Sequence, residues 1–466
     1  LQPEIANENQ FKPSSRRDHV SARHNSCKEK NNMRSLIPIL FLIVSASIAR
    51  ANHAPDSTIE YYSENTLRYD DRAYIPTIST VILSVDPATM LPPIMQLNSA
   101  DKLYLSFDDL ESDYKSLWFT IIHCSAEWEP SNVSASDYID GFPEQQITDY
   151  SFSRNTLQRY THYNTTFPGE GFKILLSGNY LLKVYQDNDP EKLILTRRFM
   201  VYENKVSLSG DVHASTLVAD RNYKQEVDFT VTYTTTEISN PFQEIYPVIL
   251  QNGRWDNAIV GLKPQFLMNQ ELRYDYEDVN VFKGGKEFRW FDTRTLRLNT
   301  ERVERIEKDS GRYDVFLLPD ERRTFKKYMN NADINGKFLV RTQDNADSDL
   351  ESEYCWVHFF MPWDLPVSEG NMYVFGAMTD WQCTAKNKMS YNKERRGYEA
   401  TLYLKQGYYN YEYVFLKDKE TAADDYVAEG MNQETENDYW ILIYFRQVGS
   451  RTDELVAVKR FNSRLR

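Results

Sequence analysis

The residues able to do chemistry are few and scattered. His53, His123, His162, His213 and His358 lie beyond residue 51, and none stands four residues from another. Neither HExxH nor GxSxG occurs. The spacings that hold zinc on one helix face, or raise a nucleophilic serine on a tight turn, are therefore missing. His123 and Cys124 adjoin in an alternating apolar run, so their side chains leave opposite faces and do not pair with each other. Asp108, Asp109, Glu111 and Asp113 in SFDDLESD, and Asp187 and Asp189 in DND, are carboxylates at turns. Calcium takes roughly six to eight oxygens. Neither stretch has the central Gly and terminal Glu of the twelve-residue calcium loop, and both read as solvated turns that also blunt strand edges. Glycoside cleavage needs two carboxylates at a set separation in space, and no stretch points to such a pair. No metal site, catalytic residue or cofactor is expected.

The elements that would position these groups are strands. Aromatics are 14% of 466 residues, with 32 Tyr and 24 Phe, a composition that fits pleated surfaces better than helices. Period-two alternation marks 101–109, 117–124, 179–186, 193–203 and 225–233 as strands. DNDPEK closes a hairpin between the third and fourth of these. Asn252-Gly253 and Asn335-Gly336 are pairs that turns with two positive φ angles prefer. Strands do not alternate with long helical patterns, which disfavours a cofactor-binding α/β fold. Polar seams at 203–210 and 342–353 divide the chain. The expected fold is all-β, tandem immunoglobulin-like (early-set) β-sandwich domains. The expected divisions are an arm at 52–74, a first sandwich at 75–203, a second β domain at 204–343 and a third sandwich at 350–466.

Residues 33–51, MRSLIPILFLIVSASIARA, carry a charged start, a short apolar run and a small-x-small end, the pattern of a cleaved signal peptide. Residues 1–32 read as a start-site miscall. The apolar run is shorter than a bilayer span, so an exported protein without a lipid-spanning segment is expected. Residues 1–51 hold eight Lys/Arg and four Asp/Glu, and without them the net charge falls from −14 to −18. Such a surface repels nucleic acid and anionic headgroups. Cys124, Cys355 and Cys383 remain, with no CxxC spacing, and read as free thiols. Asn132-Val-Ser and Asn164-Thr-Thr match the glycosylation pattern, which has meaning only in a host that glycosylates there.

Two resemblances follow. MYVFGAMTDWQ, then MSYNKERRGYEATLYLKQGYYNYEYVFLKD, resembles glycogen-binding early-set modules over about fifty residues. That likeness makes Trp381 a candidate glycan contact, with Tyr426 the aromatic available as a second platform. From Glu420 to Asp438, however, seven residues are acidic and none basic, and Trp381 reads better as scaffold. Over about 75–464 the chain resembles the type IX secretion system plug proteins of Bacteroidota. The stretches that carry it are SFDDLESDYKSLWFTIIHCSAEWEPS, YIDGFPEQQITDY, FKILLSGNYLLKVYQDNDPEKLILTRRFMV, NPFQEIYPVILQNGRWDNAI, FKGGKEFRWFD and ETENDYWILIYFRQVGSRTDELVAVKRFNS. The resemblance implies a non-enzymatic periplasmic plug associated with the outer membrane. Its partner would be the periplasmic end of the outer-membrane barrel translocon. The alternative is a periplasmic or surface glycan-binding protein, and a secreted carbohydrate-active enzyme stands third. Since aromatic and Arg side chains dominate interface energetics, the candidate interface residues are Trp128, Arg254, Trp255, Arg289, Trp290 and Trp363, each beside turn-like sequence, with core packing the alternative for each Trp because Trp is highly buried on average.

Overall fold

In the computed structural model, the described residues are 66–88, 90–234, 236–309 and 311–464. The expected signal segment 33–51, the segment 1–32 and residues 52–65 of the expected arm lie outside them.

The alternating runs form strands that pair into three two-sheet sandwiches. In the first, Leu117–Cys124, Gly178–Gln186 and Leu193–Tyr202 are the heart of one sheet. Ile78–Ser84, Leu103–Asp109, Thr161–Phe167 and Asp149–Phe152 form the other. Leu105, Phe107, Phe119, Tyr163, Leu182 and Phe199 fill the space between. DNDPEK turns as expected, because Asp187 and Asn188 adopt positive φ and Tyr185 pairs with Leu193.

The second sandwich sets Ser207–Ala214, Lys224–Thr232, Glu271–Tyr274 and Phe266–Met268 against Ile259–Val260, Ile245–Gln251, Asp438–Phe445 and Glu454–Asn462. The third sets Arg289–Asp292, Gly407–Lys417, Phe338–Val340 and Gly370–Phe375 against five strands. These are Val303–Asp309, Arg312–Leu317, Tyr354–Pro362, Gly397–Lys405 and Ser390–Asn392.

The expected divisions at 343 and 350 are therefore corrected. Phe338–Val340 pairs with Gly407–Lys417, so the seam at 342–353 is a loop within the third sandwich. Residues from Arg289 belong to that sandwich too, whereas Asp438–Phe445 and Glu454–Asn462 return to the second. Sequence proximity misled because parity within a strand does not say which strand pairs with it.

DYWILIYF shows why the sandwiches adhere. From Tyr439 on it is apolar without interruption because both of its faces are covered. Tyr439, Ile441 and Ile443 point into the second core. Leu442 and Tyr444 meet Cys124, Leu181 and Met200 of the first sandwich. Asn252 and Gly253 take positive φ, as do Asn335 and Gly336. The first pair does not close a tight hairpin, however, since Val248 pairs with Val260 across a longer loop that carries Trp255. A side chain at Gly336 would collide with Trp381 and Phe288, so that turn is also a packing surface. No helix among the described residues is long and apolar enough to cross a membrane.

Candidate functional site

Of the expected interface residues, Trp128, Arg254 and Trp255 sit at seams between sandwiches, and Arg289, Trp290 and Trp363 lie within the third. Trp128 has φ of 65° and is only 5% exposed. Its ring meets Trp255 edge-on at 5.1 Å, and the Arg198 guanidinium lies over it at 4.4 Å. Arg254 is buried. Its Nε and Nη2 donate to Asp256 at 3.0 and 2.7 Å, and Nη1 donates to Glu412 Oε1 at 3.1 Å. Its guanidinium also covers Trp381 at 4.7 Å and Phe375 at 5.1 Å. Burial pushes the Glu412 carboxyl up to about 8, against the pull of Arg254.

Arg289 is buried as well. It donates to Asp320 Oδ1 at 3.0 Å, Glu429 Oε1 at 2.9 Å and the Glu321 carbonyl at 2.8 Å. Arg323 donates to Glu429 Oε2 at 2.6 Å. Burial alone would raise the Glu429 carboxyl, but the Arg289 and Arg323 guanidiniums outweigh it and hold the group at about 2.

The exposure expected of Trp128, Arg254 and Arg289 is thus corrected: each is internal, the two guanidiniums bound to buried carboxylates and the indole packed against Trp255 and Arg198. Trp255, Trp290 and Trp363 are half-buried. The last lies under the Arg322 guanidinium at 4.6 Å.

Trp381, the alternative glycan contact, is half-buried between Arg254 over its ring and the edges of Phe288 and Phe375. Tyr426 is 42% exposed, and no ring contact joins it to Trp381 among the described residues.

A third seam joins the first and third sandwiches. Asp108 is fully buried and accepts from Lys405 Nζ at 2.7 Å and Tyr354 Oη at 2.7 Å, while His162 Nδ1 lies 2.7 Å from its other oxygen. Burial would raise the Asp108 carboxyl, but Lys405 and His162 outweigh it and lower it. Lys405 Nζ also donates to the Asp349 carbonyl at 2.7 Å and sits over the Tyr160 ring at 4.1 Å. Sequence reasoning missed this cluster, since Asp108 and Lys405 are 297 residues apart. The available signal was modest: Asp108 shares a strand face with Tyr104 and Ser106, away from the core.

Two groups of possible metal ligands are assembled. Asp109, Glu111 and Asp113 converge, but Lys115 Nζ fills the position a cation would take, 2.5 Å from Glu111 and 3.2 Å from Asp113. His213, Glu226 and Asp228 come together through strand register. There Glu226 accepts from the Thr216 amide and hydroxyl at 2.7 and 3.0 Å, and Asp228 accepts from Asn280 at 2.9 Å. Both close as protein networks.

Cys124, Cys355 and Cys383 are free, the first two buried. Burial pushes the Cys124 and Cys383 thiols up to about 12.

Residues 78–203 match the family described as type 9 secretion system plug protein 1st domain. No curated protein matches. Among solved structures, 21 chains match. One is the crystal structure of a hypothetical protein from Parabacteroides merdae, at 30% identity and a TM-score of 0.82, covering 85% of this chain and 100% of that one.

Proposed function

Since the chain belongs to the type IX secretion system plug protein family, we propose that it is a non-enzymatic plug. It binds the periplasmic end of the outer-membrane barrel translocon, seals the pore at rest and leaves when a substrate is exported. The family ties the chain to type IX secretion. Beyond that, one observation carries the reading: three sandwiches are interlocked by buried charged groups at their seams, Asp108 with Lys405 and Arg254 with Glu412. Removing Lys405 strands the buried Asp108 carboxylate at a cost of about 3–5 kcal/mol, so the first and third sandwiches move as one body, and the Arg254 hydrogen bond to Glu412 ties the second to them. A rigid body occludes a pore without a mobile lid, and release can then be a matter of one interface. Such an interface needs to exceed roughly 1,000 Å².

The test uses tagged protein in its own organism. Gentle solubilisation of outer membranes should recover a very large barrel in near-equal amount. Deletion of the protein should make the outer membrane leak small solutes. Recovery of the protein alone, with retention on polysaccharide, would refute the plug and favour a glycan-binding role.

A further inference from the structure

The second sandwich has an edge that protein chemistry normally avoids. Phe266–Met268 pairs with Glu271–Tyr274 on one side and ends its sheet on the other. An unpaired edge offers a row of amides and carbonyls to any passing strand. Proteins usually guard such edges with charges, Pro or bulges. The chain does this elsewhere: Val303–Asp309, the edge strand of a sheet in the third sandwich, carries Glu304, Arg305, Glu307, Lys308 and Asp309. Phe266–Met268 carries none of these, and its shortness, three residues, is its one guard. Phe266 is 53% exposed, Leu267 47% and Met268 67%. Successive strand residues point to opposite faces, so both faces of this strand are uncovered, including the one that should meet a core.

Beside it, on the outer face of the sheet, lies a groove of about 480 Å³ lined by Phe266, Met268, Asp211, Asp228, Glu271 and Asp275. Arg273 also lines it, but its guanidinium is bound to Asp275 at 2.5 Å. Asp211 and Asp228 stand directly opposite each other in adjacent strands, an arrangement that like charges make unfavourable. Glu271 is the register partner of Met268 and has no ion pair among the described residues. Arg273 is the one Lys or Arg in the lining, against four carboxylates, and His213 reaches Asp228 at 3.0 Å, which leaves Asp211 and Glu271 as the acidic groups facing the groove.

We propose that Phe266–Met268 is a docking edge for an extended segment of another protein, added as a further strand. That segment carries apolar side chains on both faces against Phe266, Leu267 and Met268, and Lys or Arg directed toward Glu271. Main-chain hydrogen bonds supply affinity, and the alternate side chains supply specificity. A second copy of this chain is the wrong occupant, because it brings the same acidic face and a net charge of −14 to a pairing that needs positive charge. The inference goes beyond the plug reading and does not depend on it.

The test places a photo-cross-linking benzoylphenylalanine at position 267 of the full chain, and separately at Glu307 on the guarded edge. Both are irradiated in the native organism, and the linked residues are mapped by mass spectrometry. The expected product forms at 267 at least tenfold above 307. It maps to a segment of a different protein with apolar residues on both strand faces and at least one Lys or Arg. Met268→Lys, combined with the probe at 267, lowers the yield at least tenfold while circular dichroism stays unchanged. No excess over 307, a product with a second copy, or a mapped segment that is acidic overturns the proposal. Loss of the 267 product with the barrel still co-isolating overturns the docking edge and leaves the plug standing. A basic extended segment from a protein other than the barrel supports the edge and removes it as the barrel contact.

Discussion

Glu429→Gln is the perturbation whose size the structure defines best. The residue is 1% exposed and lies between Arg289 and Arg323, with the Tyr413 amide donating to it at 3.0 Å. Its carboxyl moves from an ordinary 4.5 to about 2 on folding. A folded value below the unfolded one means that the stabilisation is fully present above the unfolded value and is lost as pH falls toward the folded one. At about 1.4 kcal/mol per unit, the contribution at neutral pH is about 3 kcal/mol. Gln keeps the size and removes the charge. It leaves Arg289 with Asp320 and the Glu321 carbonyl, and Arg323 with the Glu287 carbonyl. The expected penalty is therefore about 3 kcal/mol at pH 7, shrinking to less than half of that by pH 3. Urea titration with pulsed hydrogen exchange, read on Gly407–Lys417, scores opening of the third sandwich separately from the others. A penalty under about 1 kcal/mol at pH 7, or one equal at pH 7 and pH 3, would refute the reasoning.

Lys405→Met should cost about 3–5 kcal/mol, because it strands the Asp108 carboxylate; adding Asp108→Asn should recover much of that, and thermal melts of the single and double variants check it. The Cys124 and Cys383 thiols, pushed up to about 12, should react slowly with a disulfide reagent at pH 8 and rapidly after urea, followed by absorbance. Burial raises the Asp333 carboxyl to about 7, above its ordinary 3.8. The folded state then binds more protons than the unfolded, so this group's contribution to stability declines as pH rises between those values. Asp333→Asn keeps one acceptor oxygen where the Phe288 and Asn335 amides use two, so it starts with a penalty, but it removes the titration: its urea midpoint should gain on that of the unmodified protein as pH rises from 3 to 8.

Strands of the first sandwich were legible where one face meets the core and a recognisable turn follows. Leu117–Cys124 alternates in burial, and DNDPEK supplies the two positive φ angles between its neighbours. Pairing over long distances was not legible. DYWILIYF looks equally apolar whether it belongs to the second sandwich or the third, and its register with Ile245–Gln251 is set by tertiary contacts. The expected site residues were chosen by type, and type does not distinguish an Arg that reaches outward from one that bridges two domains. Arg254 and Trp381 were read as belonging to separate functions, yet they stack on each other at 4.7 Å.

The return of Asp438–Phe445 and Glu454–Asn462 to the second sandwich has a consequence for how the chain is made. Ile245–Gln251 waits unpaired on that side for nearly two hundred residues of synthesis, until its neighbour emerges. The third sandwich can close first, and the second closes around it last. A stop codon just before residue 438 would remove two of the four strands in one of the middle sandwich's sheets. It would also strip the first sandwich of the surface offered by Leu442 and Tyr444. A defect at the end of the message would thus be felt in the centre of the molecule, and quality control acting on nascent chains would see an open sheet until the last strands arrived.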